Sequence, residues 1–299
     1  MERYSHFLDS RSIFIDPGHG GELDGARFEA ILNLKVARYL RSYFEIAGAR
    51  TTMSREGDWQ VALSQRVAES ARSGAELFIS IHHNASSDKE QLYCSTWYHS
   101  REGQEGYDPR SHDIARYIQR DLASSLRLPG SLVSFDGTLS DYEIYEGVGF
   151  SVLRDQSIPS VLVECTFVTN EKAAASLGKE EFNRIEAWGI FTGVARYFED
   201  GEPSMILDVD TTCMNTKGYI TIRLSGLVDV DESTVQFMID SQPVMPRDVH
   251  YLASKRDNLR AMLSLKKGLR WGRHDLEIWA RNVNGNHCTP LKKPFWIKP

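Results

Sequence analysis

Apolar positions along this chain recur in two rhythms, and the change comes near residue 200. Before it, short apolar runs read as strands: Ser12–Asp16, Ala49–Met53, Leu77–His82, Leu92–Tyr98, Phe150–Leu153 and Ser160–Glu164. Between them apolar residues return at helical spacing. Ala30–Ala47 carries Leu32, Val36, Leu40 and Phe44, and Gly48 follows as a helix stop. Val61–Ser73 carries Val61, Val67, Ala68 and Ala71 ahead of Gly74. Ser111 reads as the N-cap of a helix through Ile114, Tyr117, Ile118 and Leu122 that stops before Pro129, and Phe182–Phe198 closes the region. Strands alternating with helices predict an α/β fold: an open, twisted, mostly parallel sheet with helices on both faces.

Past the polar segment Glu199-Asp200-Gly201-Glu202-Pro203 the helical spacing disappears. Tyr219–Leu224 alternates, with Ile220, Ile222 and Leu224 on one side and Thr221 and Arg223 on the other. Thr234–Ile239, Arg260–Leu265 and Asp275–Ala280 read similarly, separated by turn signals such as Lys267-Gly268 and Asn284-Gly285-Asn286. Short strands at this density predict a small all-β sandwich. The 299 residues are long for one domain and comfortable for two, here 1–200 and 204–299.

Composition narrows the function. A formal charge of −6 excludes a general nucleic-acid binder, which needs a basic footprint, and tight binding to an anionic membrane. No apolar run is long enough to span a membrane. Met1-Glu2-Arg3-Tyr4-Ser5-His6 has no apolar core, so no secretory signal is expected. Cys94, Cys165, Cys213 and Cys288 form no Cys-x-x-Cys pair and read as buried thiols, with a Cys213–Cys288 bridge as the alternative.

The candidate chemistry gathers at strand ends. Ile13-Phe14-Ile15-Asp16-Pro17 runs into Gly18-His19-Gly20-Gly21, a turn that presents His19. Glu29 opens the next helix, His82-His83 ends one strand, and Glu164 ends another. In open α/β sheets ligands bind at the carboxyl ends of strands, which puts all four on one rim. Two imidazoles and a carboxylate suit a catalytic zinc with an open position for water. Such an ion acidifies water and polarises a carbonyl, and a carboxylate outside the ligand set can move the proton. His19, Glu29 and His82 are the candidate ligands of Zn2+, and Glu164 is the candidate base. Each has a plainer use: His19 as a turn residue, Glu29 as a helix N-terminal charge, His82 or His83 as core histidines, Glu164 paired with Arg154. Gly-x-Ser-x-Gly and His-Glu-x-x-His are absent. The acidic stretches Glu102–Glu105 and Asp141–Glu146 read as solvated loops that could rim a groove.

On these residues the chain, from Ser12 to about Phe198, resembles the zinc-dependent N-acetylmuramoyl-L-alanine amidases of the third amidase family. The matching blocks are Ile15–Gly21; Glu29 with Asn33-Leu34; Ser80-Ile81-His82-His83-Asn84; Val161–Glu164 with Phe167 and Asn170; and, more weakly, Ser54-Arg55 with Asp58, Leu63 and Arg66. The resemblance implies ligation by His19, Glu29 and His82, a catalytic Glu164, and hydrolysis of the amide between N-acetylmuramic acid and L-alanine. It implies peptidoglycan as partner and the cell wall or periplasm as the place of work. His83 falls on the variable position of its block. Asn84 and Arg154 are the candidate substrate contacts. The chain departs from the family in a short Gly21–Glu29 loop that keeps Asp24-Gly25-Ala26, in Ala30 where lysine is usual, and in Asp136–Gly149, which lacks an asparagine-arginine-glycine run. It shows no long helical insertion of the kind that blocks regulated members, so no activator is expected. Gly272–Asn282 with Gly285-Asn286 resembles bacterial immunoglobulin-like modules, which act as spacers or wall-binding units. Trp271, Trp279 and Trp296 read as core residues or as sugar-stacking ones. A zinc peptidase on another wall peptide and a non-catalytic wall-binding protein are the alternatives.

Overall fold

The computed structural model describes residues 2–21, 26–129, 137–210, 218–255, 258–265 and 269–297. Asp24, Gly25, Asp136, Cys213 and the Lys267-Gly268 turn lie outside the described residues. The chain divides into two compact units at Glu199/Asp200, the second counting Glu102–Glu105 with it.

The first unit is built on six strands: β1 (Ser12–Pro17), β2 (Arg50–Met53), β3 (Leu77–Asn84), β4 (Ser95–Tyr98), β5 (Thr138–Ser140) and β6 (Ser160–Phe167). Their order in the sheet is β2-β1-β3-β6-β4-β5. β2, β1, β3 and β6 are parallel, whereas β4 runs antiparallel to β6 and carries β5 parallel to itself. Seven helices accompany them among the described residues: α1 (Glu2–Leu8), α2 (Arg27–Ile46), α3 (Leu63–Ser73), α4 (Pro109–Leu126), α5 (Ser151–Arg154), α6 (Glu171–Leu177) and α7 (Glu180–Asp200).

The apolar runs of β1, β3 and β6 are continuous because these strands are covered on both faces. Ile13, Ile15, Leu77, Ile79, Ile81, Val161 and Val163 face one core with Val36, Leu40 and Phe44 of α2, Ile114, Ile118 and Leu122 of α4, and Ile190, Phe191 and Val194 of α7. The alternate residues Phe14, Phe78 and Leu162 face a second core with Val152 and Leu153. Helices α4 and α7 approach closely at glycine: a Cβ on Gly193 would lie 2.5 Å from the Ile118 Cα.

Three expectations fail here for local reasons. Phe150–Leu153 is not a strand; Ser151–Arg154 is a helical turn, with Phe150 N–H donating to the Asp141 carboxylate at 2.7 Å. A four-residue apolar run has no period to distinguish the two. Asp108, not Ser111, caps α4, because Pro109 takes the first helical position; Ser111 Oγ instead accepts the Ser160 N–H at 2.9 Å and anchors β6. Strand β4 begins at Ser95 rather than Leu92.

Among the described residues the second unit has eight strands: β7 (Ser204–Asp210), β8 (Tyr219–Val228), β9 (Asp231–Ile239), β10 (Gln242–Pro243), β11 (Val249–Lys255), β12 (Asn258–Ser264), β13 (Gly272–Arg281) and β14 (Leu291–Ile297). They form two four-stranded sheets, β10-β9-β13-β14 and β11-β12-β8-β7, with antiparallel pairing throughout. Ile220, Ile222 and Leu224 are buried as their alternation requires, and they share one core with Phe237, Ile278 and Phe295 of the other sheet. Cys94 and Cys165 are buried free thiols, and Cys288 is buried.

Candidate active site

The polar groups of the first unit sit where the second-core face of the sheet runs out at its carboxyl end. Along that face Phe14 is followed by Asp16, Phe78 by Ser80 and His82, and Leu162 by Glu164. Strand register sets His82 directly across from Glu164. Beyond β1 the chain turns with His19 in the left-handed conformation, φ 58°.

That turn is held by two buried guanidiniums. Arg55 donates to the carbonyls of Pro17 (2.9 Å), Gly18 (2.8 Å), Ala30 (2.8 Å) and Gly57 (3.0 Å). Arg66 pairs with the Asp16 carboxylate and donates to Pro17 O (2.9 Å) and His19 O (2.6 Å). Asp16 also accepts from the hydroxyls of Ser54 and Ser80. Buried charges persist only when paired and hydrogen-bonded, and here the pairing fixes the backbone on either side of His19. Gly18 is needed for space: a Cβ there would lie 2.1 Å from His82 Nε2.

The side chains of His19, Glu29 and His82 converge. Glu29 Oε1 lies 3.2 Å from His19 Nε2 and 3.0 Å from His82 Nδ1. The two rings stand at 75° with centroids 4.9 Å apart. One donor atom from each of the three lies within 4.8 Å of the others, and their side chains are 28%, 12% and 18% exposed. Tetrahedral zinc ligands stand about 3.3 Å apart, so this set fits a divalent cation with small adjustments and an opening to solvent. Burial alone would raise the Glu29 carboxyl, but hydrogen bonds to His19 and His82 outweigh it and hold the group well below the usual carboxylate range.

Glu164 is different. Its Oε2 is buried without a hydrogen-bond partner among the described residues. Burial first, and then the charge of Glu29, push its carboxyl up to about 8, against a smaller opposing effect of His19. A carboxyl poised near neutrality beside a candidate cation site is suited to taking and returning a proton. Next to these groups opens a cleft of about 270 Å³, lined by Gly18, His19, His82, Gln60, Leu63 and Val152 among others.

The remaining candidates stand elsewhere. Arg154 does not pair with Glu164; it pairs with Asp155 at 2.7 Å and donates to Val148 O at 3.2 Å, because the helical turn carries it outward. Asn84 lies at the end of β3 with its Oδ1 accepting from Ala85 N at 2.8 Å. Asp141 is not part of a solvated loop: it is fully buried and accepts from Ser100 N, Phe150 N and His99. Trp279 is core, but Trp271 and Trp296 are exposed. Sequence reasoning missed Asp16, Asn33, Arg55 and Arg66 as the scaffold of the site. Asp16 and Asn33 stand out as polar residues within apolar runs, whereas Arg55 and Arg66 lie in polar segments and stand out only through the family blocks.

Residues 13–196 match the family of N-acetylmuramoyl-L-alanine amidases. The chain belongs to this family. A germination-specific N-acetylmuramoyl-L-alanine amidase of Bacillus subtilis is 31% identical over 215 residues, covering 66% of this chain and 84% of its own length. The N-acetylmuramoyl-L-alanine amidase AmiC of Escherichia coli O6:H1 is 31% identical over 221 residues, covering 63% of this chain and 53% of its own. The crystal structure of an N-acetylmuramoyl-L-alanine amidase from Clostridium difficile 630 matches with a TM-score of 0.53 at 26% identity, over 64% of this chain and 98% of that one. As a family member the chain is a hydrolase, an amidase acting on peptidoglycan. Among the described residues no helix is long and apolar enough to cross a membrane.

Proposed function

We propose that this amidase is zinc-dependent, with His19, Glu29 and His82 as the protein ligands and Glu164 as general base. It hydrolyses the amide that joins the lactyl group of N-acetylmuramic acid to L-alanine, and it works where peptidoglycan lies, in the cell wall or periplasm. The observation that carries this reading is the unpartnered Glu164 Oε2, held beside a three-donor cluster whose two histidines line a cleft.

When bound, zinc would polarise the scissile carbonyl and acidify water. The chain's own part is proton transfer and position. Glu164 takes one proton from water as the new O–C bond forms. It returns that proton to the alanine nitrogen as the C–N bond breaks, and the water's second proton passes from the new lactyl carboxyl to the amine, leaving a carboxylate and an ammonium group. Arg55 and Arg66 hold the His19 turn still meanwhile. The exposure of His19 and His82 to the cleft supports action without an activator. The second unit, with Trp271 and Trp296 exposed, is proposed as an immunoglobulin-like wall-targeting module.

The test is release of free stem peptides from purified peptidoglycan by wild type and Glu164→Gln, with zinc measured in both. The expected result is zinc in both and a loss of about 10²–10⁴-fold in the variant, the range of general base catalysis. Equal cleavage of stem peptides that lack muramic acid would overturn the substrate, and an active Glu164→Gln would overturn the base.

A further inference from the structure

His83 follows His82 but faces the other way, into the first core under α2 and α7. There it enters a network in which His83, Asn33, Glu186 and Asn183 are all buried. Asn33 Nδ2 lies 3.2 Å from Gly18 O and 3.3 Å from Glu29 Oε1. Both are acceptors, so Nδ2 donates and Asn33 Oδ1 must accept. His83 Nδ1, 2.8 Å from that Oδ1, therefore carries a hydrogen. On the other side of the ring Nε2 faces Glu186 Oε1 at 3.1 Å. Asn183 Nδ2 donates to the remaining Glu186 oxygen at 3.0 Å. The backbone N–H of His83 donates to Glu29 Oε1 at 3.2 Å.

The chain of contacts runs Glu186, His83, Asn33, Glu29, and it ends on the carboxylate at the centre of the three-donor cluster. Asn33 alone could turn its amide over and present oxygen to Glu29, which would repel it. The hydrogen on His83 Nδ1 forbids that, and the contact with Glu186 holds the ring in place. Cys165 also lies within 4.8 Å of His83 and Glu186, which suggests a second cation site. The hydrogen bonds argue against one: both ring nitrogens and both Glu186 oxygens are already engaged. Burial also pushes the Cys165 thiol well above its ordinary value, and Glu186 pushes it in the same direction.

We infer that His83 and Glu186 are positioning residues for the metal site, fixing through Asn33 the place and orientation of the Glu29 carboxylate. The inference rests on the zinc reading above. Groups that orient a ligand from behind typically govern about 10–100-fold in metal affinity.

The test compares wild type, Glu186→Gln, and His83→Phe combined with Glu186→Leu. Zinc affinity is read by chelator competition, geometry by the visible spectrum of cobalt-substituted protein, and folding by cooperative unfolding of the metal-free form. The paired apolar variant is expected to fold, since well-packed apolar groups can replace a buried ionic pair. It should bind zinc about 10–100-fold more weakly, with a shifted cobalt spectrum. Glu186→Gln should stay within about threefold of wild type, because its amide can donate to Nε2 and leave the hydrogen on Nδ1. A folded paired variant with wild-type affinity and an unchanged spectrum overturns the inference. If that variant does not fold, Glu186→Leu alone carries the same expectation. If neither folds while Glu186→Gln does, the network is a folding element and the inference falls. A wild type that binds neither metal overturns the zinc reading, and the inference with it.

Discussion

The two units bury different things. Under the strand ends of the first lie Asp16, Arg55, Arg66, His83 and Glu186, all but sealed from solvent. The second has an aliphatic and aromatic core beside four buried polar residues, His274, Asn282, Asn286 and His287, but among its described residues no Asp, Glu, Lys or Arg is buried. Taking a charge out of water costs several kcal/mol even after pairing, and an apolar substitute is often as stable or more so. The second unit therefore shows what folding alone requires of such a chain, and the charges of the first mark where position matters more than stability.

This contrast can be broken experimentally. The largest effect is expected from Gly18→Ala, whose Cβ would displace the His82 ring: hydrolysis should fall by about 10²-fold or more, as misplacement at a reacting centre does, while the fold persists. An active Gly18→Ala with full zinc content would show that His82 need not sit where it does. Arg66→Met comes next. It leaves Asp16 unpaired and frees the His19 turn, so about 3–5 kcal/mol should be lost in denaturant unfolding together with peptide release. Ile222→Ala, in the second unit, should cost about 2–5 kcal/mol in that unit's unfolding and leave hydrolysis of a soluble muropeptide unchanged. If both variants damaged catalysis equally, the division of labour would be wrong.

A subtler expectation concerns pH. Glu164 rises from an ordinary 4.5 to about 8 in the folded chain, so the folded state favours the protonated form. Its contribution to stability is intact below about pH 4.5 and is lost progressively as pH rises through about 8, at up to about 1.4 kcal/mol per pH unit. Metal-free Glu164→Gln should consequently match metal-free wild type near pH 4 and exceed it in melting temperature near pH 8. A parallel pH dependence in the two proteins would remove the buried-carboxyl argument. Arg273→Ala, which breaks an exposed pair with Asp275, should change stability by less than about 1 kcal/mol.

How much of this could be read beforehand depends on whether a residue announces its own environment. Ile13-Phe14-Ile15 and Val161-Leu162-Val163 did so, because only a strand covered on both faces tolerates such runs. His82 and Glu164 did so by residue type near strand ends, His19 in the turn beyond one, and Glu29 at the start of the next helix. His83 did not: adjacent histidines look alike, and only the two-residue alternation Leu77, Ile79, Ile81, His83 points it into the core. Arg154 misled because the apolar residues before it fit a strand or a helical turn equally well. Nor does any local pattern signal that β4 runs antiparallel to β6.

The strand order carries one further meaning. β1, β3 and β6 are immediate neighbours, and they bring His19, His82 and Glu164. Adjacent strands stand about 4.8 Å apart, a spacing fixed by main-chain hydrogen bonds and indifferent to side-chain identity. The sheet thus acts as a gauge for the reaction. On the proposed roles, the span from His82 to Glu164 is one strand width, and loops may lengthen or shorten around it without changing that distance. Diversification in this architecture is free to alter what flanks the bond and is held rigid on the bond itself.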